Sequence, residues 1–298
     1  MTHGHTHAHT ERAYAKINLL LRILAREASG YHSIETLFQR LALHDVVHVR
    51  VGSMAPSLLC AGPAMPDSGL GPVEQNLAWR AAMAYTAAAG WHTGWEIAID
   101  KHIPVGGGLG GGSADAAAVL RALEAMCPSP LGAERLMAVA GTLGADVPFL
   151  LSGHSLAWAW GRGDRLLPLP PLPRATVHLA TFVEGVNTAA AYRAFAHARE
   201  IHGEMPPATS YDMDAFASWR AIAAVAMNDF EPIVCAMHEG VTTVLPGLRR
   251  LAAERQAHGT PTIGMMSGSG ATCFVLDPDG SARLSTDGAA TVHTTTTW

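Results

Sequence analysis

Residues 104–118 read P-V-G-G-G-L-G-G-G-S-A-D-A-A-A. Six of them are glycine (Gly106, Gly107, Gly108, Gly110, Gly111, Gly112), and Ser113 opens an alanine-rich segment whose composition predicts a helix to Ala125. Glycine has no Cβ, so its backbone amides can approach a ligand that a side chain would hold off. The first turn of a helix adds unpaired N–H groups and roughly half a positive charge. A glycine run that ends where a helix begins therefore predicts a seat for a phosphate-like anion.

The surrounding residues narrow the type of loop. A Walker loop needs Lys before its Ser or Thr, and Gly112 stands there. Gly106, Gly108 and Gly111 do spell G-x-G-x-x-G after a predicted strand, Trp95 to Lys101. A dinucleotide fold would then need a second strand ending in an acid about 20 residues on. Here C-P-S-P at 127–130 and another helical stretch follow instead. A flexible linker is usually Ser-rich and flanked by loop, whereas this run lies between an apolar strand and an apolar helix.

Of the 298 residues, 49% are hydrophobic and 15% charged, which supplies core for one large or two smaller domains and excludes general disorder. A net charge of -5 argues against nucleic acid as partner. Four scattered cysteines lack metal or disulfide spacing and fit a reducing cytoplasm. No apolar run is long enough to cross a membrane, since the candidate strand Ile17 to Leu24 is cut by Arg22. The opening ten residues hold four alternating histidines and are expected to form a disordered tail over 1–10.

Along the chain, Ala13 to Leu24 predicts a buried strand in which Lys16 and Asn18, two apart, share a face. They line a site or sit on a solvated surface; spacing alone leaves both open. A mixed segment 34–43, a strand 46–51 and a loop 53–73 follow. Next is a helix from Asn76, its N-cap, to a stop at Gly90. After a helix over 131–143, G-A-D-V-P-F sets Asp146 among apolar residues, as a functional carboxylate or a plain N-cap. The run P-L-P-P-L-P at 168–173 marks a domain boundary, giving domains over 11–167 and 168–298. Beyond it the pattern predicts a strand 176–183 and helices near 189–199, 214–226, 229–239 and 245–257. Two short strands then flank S-G-S-G at 267–270, and the tail after Gly280 is expected to fray.

These motifs together resemble the GHMP small-molecule kinases, and within them the branch acting on a polyol linked to cytidine diphosphate. The marks are A-K-I-N-L at 15–19, G-Y-H at 30–32, E-T-L-F at 35–38, the glycine loop, G-A-D-V-P-F at 144–149, N-D-F-E-P at 228–232 and M-S-G-S-G at 266–270. Gly107 and Ala114 depart from the family's frequent Ala and Ser. The resemblance implies an α+β fold of two domains, the first like ribosomal protein S5 domain 2 and the second ferredoxin-like, with the active site between them.

It also implies ATP as cosubstrate with Mg²⁺ on the nucleotide, no assigned metal ligand, and a small-molecule partner rather than nucleic acid or membrane; the oligomeric state, monomer or weak homodimer, is left open by the sequence. By position, Asp146 corresponds to the catalytic base and Lys16 to its charge partner. ATP is expected on Lys101, Pro104, Gly106, Gly107, Gly108, Leu109, Gly110, Gly111, Gly112 and Ser113, with Gly268, Ser269 and Gly270 closing over it. Asn18 and Thr188 would bind substrate, Tyr31 and Tyr192 would sandwich the cytosine, and His32 would meet its edge. Core packing is the competing role for Tyr192.

Overall fold

The computed structural model describes residues 7–26, 32–202, 209–286 and 288–298, and the chain divides into two compact units. The first comprises residues up to Ala15, Leu43–Val105 and Gly110–Gly153, and the second Lys16–Ala42, Gly106–Leu109 and His154–Trp298. Strands β1 (His7–Arg26) and β2 (His32–Gly52) contribute to both.

In the first unit, β3 (Ser57–Ala61), helix α1 (Leu77–Ala89), β4 (Gly94–Asp100), α2 (Gly111–Met126), α3 (Ala133–Leu143) and the single-turn α4 (Val147–Ser152) follow. The strand order is β3-β4-β2-β1. Alternation along β4 turns Trp95, Ile97 and Ile99 inward, as a half-buried strand requires. Helix α1 is bounded as its sequence predicts: Asn76 Oδ1 accepts from the Ala78 amide at 2.9 Å, and Gly90 ends it in the left-handed region. Helix α2 is buried almost all round, from Ala114 to Leu120 and again at Ala122 and Leu123. Its alanines let α1 and α4 pack closely, and small side chains on every face are what a fully interior helix needs.

The second unit continues with β5 (Leu156–Gly161), β6 (Arg165–Pro168), β7 (Thr176–Thr181), α5 (Thr188–His202), α6 (Trp219–Val225), β8 (Met227–Asn228), α7 (Glu231–Met237), α8 (Glu239–Ala257), β9 (Ile263–Met266), β10 (Cys273–Asp277) and β11 (Thr291–Thr296). Strand β5 pairs with β2 and β6, β8 adds in parallel to β1, and a separate sheet runs β11-β7-β10-β9. Its core gathers Phe195, Phe230, Val234, Leu245, Leu248 and Val275. The proline run 168–173 starts at the last residue of β6 and leads towards β7.

Several expectations are corrected. Residues 7–10 are the start of β1 rather than a disordered tail, and Thr10 Oγ1 lies 2.9 Å from His48 Nδ1; residues 1–6 are outside the described residues. The mixed segment and strand over 34–51 are one strand, β2, because its polar residues Thr36, Gln39 and Asp45 are buried with partners. The loop 53–73 contains β3. The stretch 214–226 is a 3₁₀ turn and the short α6, each opened by its own cap, Asp212 and Ser218. The tail after Gly280 ends in β11, paired with β7 over six residues, since a run of β-branched threonines forms a strand without apolar content.

Candidate active site

In the second unit the site grows from β1. Lys16 and Asn18 point to one face, as their spacing predicts, and both are 3% exposed, so the solvated reading fails. Lys16 Nζ donates to Asn18 Oδ1 at 2.8 Å and to the carbonyl of Gly108 at 3.1 Å, and it lies 5.5 Å above the Phe38 ring. Asn18 Nδ2 in turn donates to Thr36 Oγ1 at 2.8 Å.

The glycine loop is sewn down by its carbonyls. Leu109 O accepts from the Lys16 amide, Gly107 O from the Thr272 amide, and Gly108 O also from Ser267 Oγ at 3.0 Å. Gly106, Gly108 and Gly110 all have positive φ. Gly108 is the obligatory one, because a Cβ there would stand 2.2 Å from Ser267 O. The S-G-S-G turn thus lies against the loop in this unit: a Cβ on Gly268 would fall 3.2 Å from Gly108 O and 3.4 Å from Lys16 Nζ. Ser269 Oγ and Thr188 Oγ1 are 2.8 Å apart, while Gly270 packs on Met266 and Val234.

Asn228 has a role the sequence reading did not assign. Its Nδ2 donates to Met266 O and Gly268 O, both at 2.8 Å, and its Oδ1 accepts from the Phe230 amide. The N-D-F-E-P motif is thereby the frame of the S-G-S-G turn. Glu231 from the same motif accepts from the Met266 amide, and burial pushes its carboxyl up.

Of the residues expected at the cytosine, Tyr192 and His32 lie together. Tyr192 stacks on His32 with ring centroids 4.7 Å apart, and meets Phe230 edge-on at 4.8 Å. One face of Tyr192 is covered by the residue expected at the base's edge. Tyr31 lies outside the described residues.

In the first unit, half-buried Pro104 leads to the loop, and α2 begins at Gly111. The amides of Gly111, Gly112 and Ser113 have no acceptor one turn earlier within the helix, which leaves them for an anion. Ser113 Oγ is 3.9 Å from where a Cβ on Gly144 would be, so the residues leading to Asp146 lie beside this first turn. Asp146 is half-buried at the N-cap position of α4, yet its side chain makes no capping hydrogen bond. Lys101, expected at the nucleotide, has a side chain only 3% exposed and ion-paired with Asp45 and Asp115. Burial opposes its charge, but the two carboxylates outweigh that and hold its pKa above the ordinary lysine value. Among the described residues no group of three or more His, Cys, Asp or Glu is placed to hold a metal ion. No helix of the described residues is long and apolar enough to cross a membrane.

Residues 76–154 match the model of the GHMP kinases N terminal domain. The chain is 37% identical to the 4-diphosphocytidyl-2-C-methyl-D-erythritol kinase of Desulfitobacterium hafniense over 88% of its own length and 84% of that protein's. It is 39% identical to the enzyme of that name from Pelotomaculum thermopropionicum, covering 91% and 89%. This chain belongs to the 4-diphosphocytidyl-2-C-methyl-D-erythritol kinase family. A crystal structure of a 4-(cytidine 5'-diphospho)-2C-methyl-D-erythritol kinase superposes with a TM-score of 0.70 at 34% identity, covering 97% of this chain and 99% of that one. The α+β fold is therefore that of the GHMP kinases. The segment matched by the N-terminal model holds α2 and Asp146, while Lys16, Asn228 and the S-G-S-G turn lie outside it.

Proposed function

We propose that this chain transfers the γ-phosphoryl group of ATP to the 2-hydroxyl of 4-diphosphocytidyl-2-C-methyl-D-erythritol, a step of non-mevalonate isoprenoid precursor synthesis. The observation that carries the reading is the bond from buried Lys16 to Gly108 O, which joins a cation directly to the glycine loop. The substrate oxygen attacks the γ-phosphorus, the bond from that phosphorus to the β–γ bridging oxygen breaks, and ADP leaves. The hydroxyl proton passes to the Asp146 carboxylate, a transfer typically worth about 10² to 10⁴ in rate. Lys16 is the charge partner of Asp146, and Asn18 orients the polyol.

The amides opening α2, with those of Gly106–Gly110 and the S-G-S-G turn, hold the nucleotide phosphates and stabilise charge on the transferred group. Mg²⁺, when carried on the nucleotide, neutralises the β- and γ-phosphate oxygens. Asp146 follows Gly144, which lies beside Ser113 at the first turn of α2, and this supports its assignment. The cytidyl end is read by His32, Thr188 and Tyr192, with Tyr31 as second aromatic. The domain division at 11–167 and 168–298 belongs to the same proposal.

An ADP-release assay tests it. Turnover is expected with the diphosphocytidyl substrate and little with mevalonate or homoserine. The opposite preference would sink the substrate assignment while leaving the kinase fold intact.

A further inference from the structure

Behind the first turn of α2 lie three charged side chains cut off from water. Asp45, on β2, is 0% exposed, Lys101, just after β4, is 3%, and Asp115, in the second turn of α2, is 4%. Lys101 Nζ donates to Asp115 Oδ2 at 2.6 Å and also to Asp45 Oδ2. Asp45 is fully used, because its other oxygen accepts from the amides of His102 and Ile103. Asp115 is not: its Oδ1 is buried and, among the described residues, has no hydrogen-bond partner. The start of α2 rests on this cluster, since a Cβ on Gly111 would lie 3.2 Å from Ile103 Cγ2 and 3.6 Å from Lys101 Nζ.

Two carboxylates share one ammonium. With both ionised the cluster carries a net negative charge, and with a proton on Asp115 it is neutral. Burial favours the neutral form and Asp45 adds to it, while Lys101 opposes it, and the balance pushes Asp115 up to about 7. The oxygen without a partner is where a proton is gained at least loss. Among the described residues the other titratable group facing the cluster is the Cys60 thiol on β3, which burial and these carboxylates push up and so keep neutral. Of the helices packed on α2, α4 carries no charged residue. Arg80 of α1 and Glu134 and Arg135 of α3 are exposed, and Tyr85 of α1 donates to Glu124 instead.

Asp115 is four residues beyond Gly111, about 6 Å along the helix axis, in a low-dielectric interior. An anion at the first turn therefore senses whether the cluster is neutral or negative. We propose that Asp45, Lys101 and Asp115 are positioning residues for the nucleotide, and that Asp115 takes up a proton when a polyphosphate seats on the first turn of α2. This rests on the assignment of that turn as the ATP cradle. The sign follows: above the Asp115 pKa the cluster repels the phosphates, and below it the repulsion is gone, so affinity falls as pH rises through neutrality.

The experiment is calorimetric titration of the full chain with ATP under saturating magnesium, from pH 6 to pH 8.5, in two buffers of different ionisation heat. Wild type is expected to take up a fraction of a proton near pH 7 and to lose affinity by about three- to tenfold across the range. Asp115→Asn, which can still accept from Lys101, is expected to show no uptake and a flat profile. Absence of uptake in wild type, or its persistence in D115N, overturns the proposal, and the wild-type result stands even if the variant fails to fold. Gly112→Asp separates the two claims, because a Cβ there meets nothing nearer than Leu77 Cδ1 at 3.8 Å. Its carboxylate is expected to abolish ATP binding. Normal binding by G112D overturns the cradle assignment itself, whereas loss of binding in G112D without uptake in wild type overturns only the proton linkage.

Discussion

A Cβ on Gly108 would stand 2.2 Å from the carbonyl oxygen of Ser267, and Ser267 Oγ donates back to Gly108 O at 3.0 Å. The two segments are in backbone contact, which only a glycine in the loop allows. Gly108→Ala meets both that clash and a φ of +76°, a conformation that alone costs an L-residue about 1–2 kcal/mol. The ATP KM is expected to rise about tenfold or more, with a lower melting temperature. Gly141→Ala, in α3, where a Cβ meets nothing within 4 Å, is the control; equal nucleotide kinetics in the two variants would show that the contact does not shape the cradle.

Asp146→Asn should lower kcat about 10²-fold or more and leave nucleotide affinity within about threefold. Asn keeps the size and shape of the side chain and removes no capping hydrogen bond of α4, so the melting temperature should shift little. Retained turnover would remove Asp146 from the chemistry, and a large fall in stability would return it to a structural role.

Asn228→Ala strips the partners from Met266 O and Gly268 O at once. Leaving buried carbonyls unsatisfied costs about 1–3 kcal/mol each, so denaturant unfolding should show a loss of at least about 2 kcal/mol. Because the S-G-S-G turn loses its frame, the KM for ATP should rise together with this loss. A variant with wild-type stability would show that the turn holds its shape without Asn228.

Tyr192→Ala separates recognition from packing. Tyr192 packs against the core as well as stacking on His32, so some stability will be lost whatever its role. If it also holds cytosine, the KM for the diphosphocytidyl substrate should rise at least about fivefold while that for ATP stays near wild type, in keeping with about 1–3 kcal/mol per stacked base. Parallel increases for both substrates would assign Tyr192 to packing alone.

Much of the architecture is written locally. The strand, glycine loop and helix around residues 95–125 could be read in order, and so could both ends of α1, because caps and turns act over three or four residues. The common face of Lys16 and Asn18 followed from the two-residue period of a strand. What stayed hidden depends on partners far along the chain. Asp45 falls between the two segments read at 34–43 and 46–51, yet it is buried inside β2 because Lys101, 56 residues on, donates to its carboxylate. The Tyr192–His32 stack joins residues whose separation no window spans. The same holds for Asn228, whose motif was recognisable but whose hydrogen bonds to residues 266 and 268 were not.

Strand β11 carries four threonines, one valine and one histidine, and it covers the outer edge of β7, five of whose six residues are buried. Its last residues are tied in as well: the Thr297 amide bonds Ala175 O, and Trp298 lies 4.9 Å from the Arg40 guanidinium. A chain cut short before Thr291 would leave β7 as a bare apolar edge, ready to pair with another copy. Premature termination near the end of the gene should therefore be seen as insoluble protein rather than as a soluble enzyme with altered kinetics.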